Sequence, residues 1–195
     1  MNLFRWVLPT EEKLTLSSGQ TCRKLVSRVE SGQALIEFAL ILLPLVALAL
    51  GVIEMANLIY DQQVLTHLSR EGSNLASRNT SLTNTVTALL NEPTPFNLST
   101  AGCVIVTQIA NTGSGSGSSG TYVIQAQQSV CAISATSRVG TGIGTTATGL
   151  PTAAEPQAGQ SVYATEVFYR YTPLTPVGQL LKITLPSQLY DVAYF

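Results

Sequence analysis

The sequence is poor in charge and contains a single histidine. Only 11% of its 195 residues are Asp, Glu, Lys or Arg, and the formal net charge is −1. Because no stripe of Lys and Arg is present to meet phosphates, nucleic acid is not an expected partner. His67, the single histidine, falls on a predicted helix beside an apolar run and offers no basis for a metal site. We therefore expect no metal, no cofactor and no enzymatic activity.

The longest apolar run extends from Phe38 to Ile53 and points to a membrane. Its length is about 16 residues, or roughly 24 Å of helix, whereas a full span usually needs about 20 residues. With its flanks, 33–60, the segment is long enough. A cleaved secretory signal is the alternative, but its apolar core has about 7–15 residues and precedes a small-residue cleavage site. Since Glu54 and Asn57 follow here, we favour a retained span.

Basic residues are concentrated before this run. Five of the ten Lys and Arg precede it: Arg5, Lys13, Arg23, Lys24 and Arg28. The positive-inside rule then predicts a cytoplasmic N-terminal side and an exported C-terminal part.

Glu37 stands where the apolar run begins, although an acidic side chain at the centre of a membrane helix costs about 2.5–3.5 kcal/mol. It lies five places after Gly32, in the sequence GQALIEF. This pattern resembles the processing site of type IV prepilins and pseudopilins. In that family a membrane peptidase cuts after the glycine on the cytoplasmic side, which would make Gln33 the first residue and Glu37 the fifth.

A longer segment, residues 37–78, is similar to the TadE-like proteins of tight-adherence (Flp) pilus systems. The shared features are the EF-A-L start, an internal proline (Pro44), a second glutamate (Glu54) and the Arg-Glu-Gly of residues 70–72. Residues 167–186 also resemble the C-terminal ending of that family. The resemblance implies a structural pseudopilin or minor pilin that takes part in Flp pilus assembly.

The same resemblance implies specific sites and partners. A prepilin peptidase would cut between Gly32 and Gln33, and Glu37, Phe38 and Glu54 would contribute to subunit association. Other pilins or pseudopilins, an inner-membrane assembly platform and membrane lipid are the implied partners. The implied location is the bacterial inner membrane, with a single pass, a cytoplasmic N-terminus and a periplasmic head that could also enter an extracellular pilus.

This interpretation divides the chain into three segments. Residues 1–32 form the leader, 33–60 the transmembrane helix and 61–195 the exported head, with a helical stem to about residue 91. Two other functions stay open. One is a pseudopilin of a type II secretion-like system, and the other is a single-pass protein that never polymerises and binds a partner through its exported head.

Elementary physics gives Glu37 two possible roles. Cleavage after Gly32 would create an α-amino group on Gln33, one helical turn before Glu37 and on the same face. The negative charge would also lie in the first turn of the mature helix, where the helix dipole favours it. An amine, from its own chain or a neighbour's, could neutralise it. Alternatively, Glu37 snorkels to the headgroups. With the preceding glycine and following phenylalanine, we favour the association role.

Glu54, Asn57 and Asp61 share one helix face at the other end of the run. They could form a polar seam against a partner helix. Alternatively, they mark the exit of the helix into the headgroups, since Glu54 lies about 24 Å beyond Phe38. We favour the headgroup interpretation.

The exported part is predicted to be an α+β head, a long helix packed on a small antiparallel sheet. A helical stripe of apolar residues continues beyond Asp61, and Gly72 would allow that helix to approach the head closely. Thr80 or Ser81 is expected to cap a second short helix through Leu90. Strands are predicted over residues 103–110, 121–130 and 162–172 and near 185–195.

The sequence contains three cysteines. Cys22 lies in the leader, whereas Cys103 and Cys131 lie on the exported side, where disulfides persist. They flank a Gly/Ser-rich loop almost symmetrically, so a hairpin would place them opposite each other, with Cα atoms about 4.5–5.5 Å apart. We expect a disulfide; two free buried thiols are the alternative.

Overall fold

The computed structural model of the chain describes residues 18–92, 95, 97–113, 120–180 and 185–195, with side chains from Gly32 onward. The helices are α1 (Ser18–Ser77), α2 (Leu82–Asn91), α3 (Leu98–Ala101) and α4 (Pro176–Leu180). The strands are β1 (Gly102–Asn111), β2 (Tyr122–Cys131), β3 (Ser161–Arg170) and β4 (Gln188–Tyr194). This long apolar helix followed by four strands confirms the predicted α+β class.

The chain divides into two compact units, residues 1–49 and 50–195. In the first unit, the described side chains from Gly32 to Ala49 belong to α1 and are all exposed. A run of exposed leucine, isoleucine and phenylalanine side chains is unusual for a water-facing helix and is what a bilayer requires of a lipid-facing one.

The second unit is built on one antiparallel sheet with the strand order β2-β1-β3-β4. β1 therefore lies between β2 and β3, and β4 pairs with β3. One face of this sheet packs against α1 and α2, with Leu65, Leu68 and Leu89 among the fully buried side chains. The segment that follows β2 contributes Ile133, Val139 and Ala147 to two further apolar clusters.

At Gly72, α1 lies so close to α2 and β3 that a side chain has no room. A Cβ atom at this position would lie 2.7 Å from Leu89 Cδ1 and 2.7 Å from Thr165 Cγ2. The neighbouring Ser73 hydroxyl accepts a hydrogen bond from Thr165 N at 3.1 Å and donates one to Ala193 O at 2.7 Å. The close approach expected from the sequence is therefore present. The two hydrogen bonds of Ser73 attach α1 to β3 and β4 at this point.

The break between α1 and α2 also follows the sequence. Asn79 adopts a φ of 63°, a left-handed conformation that asparagine tolerates better than most residues. Ser81 then caps α2, its side chain accepting a hydrogen bond from Asn84 N at 3.2 Å.

Candidate functional site

Glu37 lies in the first unit, on the exposed surface of α1. The helix passes without interruption through Gly32 and Gln33, and among the described residues no atom beyond the local helix backbone lies within 4 Å of the position that a Cβ on Gly32 would take. Gln33 Nε2 donates a hydrogen bond to Glu37 Oε1 at 2.9 Å, as the i, i+4 spacing allows. Phe38 follows with 63% of its surface exposed. Cleavage at Gly32 and association through Glu37 and Phe38 stay predictions.

Glu54 has the opposite environment, because its own head encloses it. It belongs to the second unit and only 1% of its surface is exposed. Its carboxylate accepts a hydrogen bond from the Tyr171 hydroxyl, one from Leu174 N at 3.1 Å and one from Thr175 N at 2.8 Å. Three donors from the segment after β3 thus satisfy a buried charge.

The loop around Glu54, residues 171–178, is shaped for this contact. A Cβ atom on Gly178 would lie 2.6 Å from Glu54 Oε2, so a larger residue would displace the carboxylate. Thr175 Oγ1 accepts a hydrogen bond from Gly178 N at 2.9 Å, which ties the end of the loop to its centre. Proline at positions 173 and 176 restricts the backbone on either side of the two amides. We call residues 171–178 the glutamate loop.

The enclosure of Glu54 corrects one sequence interpretation. The sequence predicts that the Glu54 side chain meets the headgroups, but with 1% of its surface exposed it contacts its own head instead. The Glu54 carboxylate accepts its hydrogen bonds from donors of its own chain. Asn57 and Asp61 on the same face are half-buried, and among the described residues the buried Asn57 Nδ2 has no hydrogen-bond partner.

Cys103 and Cys131 form a disulfide between β1 and β2. The two residues are directly opposed in the antiparallel register. The bridge links β1, in the middle of the sheet, to the end of its edge strand β2.

A second buried carboxylate, Glu166 on β3, is absent from the sequence expectations. It is fully buried and accepts hydrogen bonds from the Ser137 hydroxyl, from Arg138 N at 2.8 Å and from the Tyr190 hydroxyl at 3.0 Å. The Arg138 guanidinium carbon lies 3.9 Å from the centre of the Tyr190 ring. Burial, together with the nearby Glu166 carboxylate, raises the pKa of Tyr190. A single acidic residue in an apolar strand was the only sequence signal for this cluster.

The tertiary structure also brings three further polar side chains together. His67 Nδ1 lies 3.6 Å from Glu71 Oε2 and 3.9 Å from Glu92 Oε1. Ligand atoms of these three residues lie within 4.8 Å of one another. Sequence reasoning missed the group because it placed His67 alone on its helix. The imidazole is exposed, and surface groups of this kind form weak ion pairs without any metal. Burial, with the Glu71 charge adding to it, raises the pKa of Glu92.

The described part of α1 from Gly32 to Ser77 is long and apolar enough to cross a membrane, as judged by length and composition. The fold thus fits a class of membrane protein in which an apolar helix is followed by an α+β head. Within that class, residues 32–74 match the family model of the TadE-like proteins. The match confirms the resemblance at the N-terminal side and suggests involvement in Tad/Flp pilus systems, but it does not include residues 167–186. No curated protein and no solved structure matches the chain.

Proposed function

We propose that this chain is a prepilin-like structural subunit, a pseudopilin or minor pilin, whose mature form begins at Gln33. The observation that carries the proposal is the position of the family match, which begins at Gly32 and includes Glu37 and Glu54. In this function the head is periplasmic, as the distribution of basic residues predicts. The partners are a prepilin peptidase, other pilins and the assembly platform in the inner membrane.

The environment of Glu37 supports a role in association. The carboxylate is exposed on a helix whose neighbouring side chains are apolar, and a glutamine amide is its hydrogen-bond partner. A neutral amide leaves the negative charge uncompensated. After cleavage, the new α-amino group of Gln33 in an adjacent subunit would supply the missing positive charge. Such a pair would favour one axial offset between neighbouring helices.

Processing is tested by the mass of the mature protein. The full chain is produced in a host that contains the cognate prepilin peptidase, extracted from the membrane and measured intact. We expect the mass of a chain that begins at Gln33 and retains its apolar helix. If all of the material keeps residues 1–32, the protein is a permanent single-pass anchor and not a prepilin.

Association is tested separately with Glu37→Gln. This substitution removes the charge but retains the shape and the contact with Gln33. Removing one partner of a desolvated pair costs about 3–5 kcal/mol, less near the headgroups, where the stranded amine can reach water. Even about 1.4 kcal/mol per contact is a tenfold loss of association. We therefore expect a variant that is inserted and cleaved but crosslinks poorly to wild-type subunits in the membrane.

The matched control is Glu155→Gln, the same substitution at an exposed position of the head. It should leave both cleavage and crosslinking unchanged. Normal crosslinking and normal filaments with Glu37→Gln would show that Glu37 only snorkels. Recovery of the protein in sheared filaments would then distinguish a minor pilin from an assembly factor.

A further inference from the structure

The glutamate loop and the end of α4 expose two leucines on a stretch without charged residues, a feature that the proposed function leaves unused. The segment from Tyr171 to Leu180 contains no Asp, Glu, Lys or Arg. Leu174 is 73% exposed and Leu180 is 81% exposed, more than any other large apolar side chain described in the chain. Two leucines directed into water would be an unfavourable arrangement in an aqueous head.

The hydrogen bonds from this segment to Glu54 determine where along α1 it lies. Glu54 is the first charged residue after the apolar run, and Leu174 N and Thr175 N both donate to its carboxylate. The glutamate loop therefore meets α1 where the apolar run ends. Val52, Ile53 and Met55, the neighbours of Glu54 on the helix, are exposed and apolar in the same unit.

Helix geometry places this level at a membrane boundary. The 21 residues from Gln33 to Ile53 rise about 31 Å at 1.5 Å per residue, which equals the roughly 30 Å thickness of the hydrocarbon core. A loop fastened to Glu54 thus lies beside the acyl–headgroup boundary of the leaflet on the head's side. Exposed leucines are side chains that enter this region, and Arg170, the charged residue directly before the loop, can keep its guanidinium among the headgroups.

We propose that Leu174 and Leu180 insert into the leaflet on the head's side and seat the base of the head on the bilayer that α1 crosses. The occupant of this surface is lipid, because the loop is fastened to Glu54, whose helix neighbours Val52, Ile53 and Met55 are exposed and apolar in the same unit. The buried Glu54 is the anchor that holds the loop at this depth. The inference depends on α1 spanning the membrane, and it does not depend on processing or on pilus assembly.

Depth measurements on the full chain in a reconstituted bilayer test this proposal. Leu174→Cys and Leu180→Cys are made with Cys22→Ser, so that the Cys103–Cys131 disulfide leaves a single reactive thiol for an environment-sensitive fluorophore. Ile143→Cys is the matched control. Ile143 is 72% exposed, and the amide of its neighbour Gly144 donates a hydrogen bond to Ile124 O. Ile124 pairs with Ile109, which lies near the end of β1 remote from Gly102, the partner of Tyr169.

We expect blue-shifted emission at positions 174 and 180, strong quenching by nitroxide-labelled lipid and weak quenching by iodide. At position 143 we expect no blue shift, weak quenching by nitroxide-labelled lipid and strong quenching by iodide. If positions 174 and 180 are quenched by iodide as strongly as position 143, the loop lies in water and the proposal is wrong. If both quenchers are weak at 174 and 180, and the unlabelled thiols of the same variants are joined to a second copy by a bis-maleimide crosslinker, a protein covers the surface and the lipid assignment is equally overturned.

Discussion

Removing the Glu54 carboxylate should detach the glutamate loop from α1 and destabilise the head. In Glu54→Ala the Tyr171 hydroxyl and the amides of Leu174 and Thr175 lose their common acceptor. A buried donor left without a partner costs about 1–3 kcal/mol, which would give several kcal/mol for three independent donors. The loop can instead open and hydrate its amides, so we expect a loss of about 3 kcal/mol.

Graded substitutions separate the carboxylate from the space it fills. Glu54→Gln retains the shape and one acceptor oxygen but turns an NH2 group toward a donor, so it should cost about 1–2 kcal/mol. Tyr171→Phe removes a single donor and should cost about 1 kcal/mol. In Glu155→Gln, at an exposed position of the same head, the Tyr122 hydroxyl keeps an oxygen acceptor, so stability should change by less than about 0.5 kcal/mol.

Two measurements on the full chain in detergent give the answer. Thermal unfolding followed by near-ultraviolet circular dichroism ranks the variants, and hydrogen exchange reports on the amides of residues 171–178. Glu54→Ala should unfold at the lowest temperature, and its Leu174 and Thr175 amides should exchange fastest. Unchanged melting and unchanged exchange in Glu54→Ala would refute the idea that this carboxylate holds the loop.

Three further predictions concern the head. Gly72→Val should destabilise it by about 1–3 kcal/mol in thermal melts, because the added atoms overlap packed neighbours; an unchanged melting temperature would mean that the helix can move away at no cost. The Cys103–Cys131 bridge, with a sequence separation of 28, should contribute about 3–4 kcal/mol. Alkylation without reduction should leave both sulfurs unlabelled, and the double serine variant should melt earlier. Tyr190 has a raised pKa, so its neutral form stabilises the fold fully below about pH 10 and the contribution is lost as the pH rises above that value. Tyr190→Phe should therefore lose stability less steeply in alkaline melts, and an identical pH profile would contradict the assignment.

Local patterns in the sequence were enough to predict the class of the protein and most of its elements. The apolar run, the Gly32–Glu37 spacing and the helical stripe beyond Asp61 involve residues close together in the chain. The same holds for the alternating strands and for the placement of Cys103 and Cys131 about one loop. Helical and strand periodicity express which face of an element is buried, so they can be read without knowing the partner.

The surroundings of the buried charges were decided by the tertiary structure alone. Glu54 and Tyr171 are separated by 117 positions, and Glu166 and Ser137 by 29. Periodicity shows that a face is buried but does not show which distant donors meet it. An acidic residue at the end of an apolar run therefore suggested contact with water. Only the packing of the loop after β3 against α1 provides the three donors that allow Glu54 to be buried, because a charge can leave water only where such donors replace its hydration.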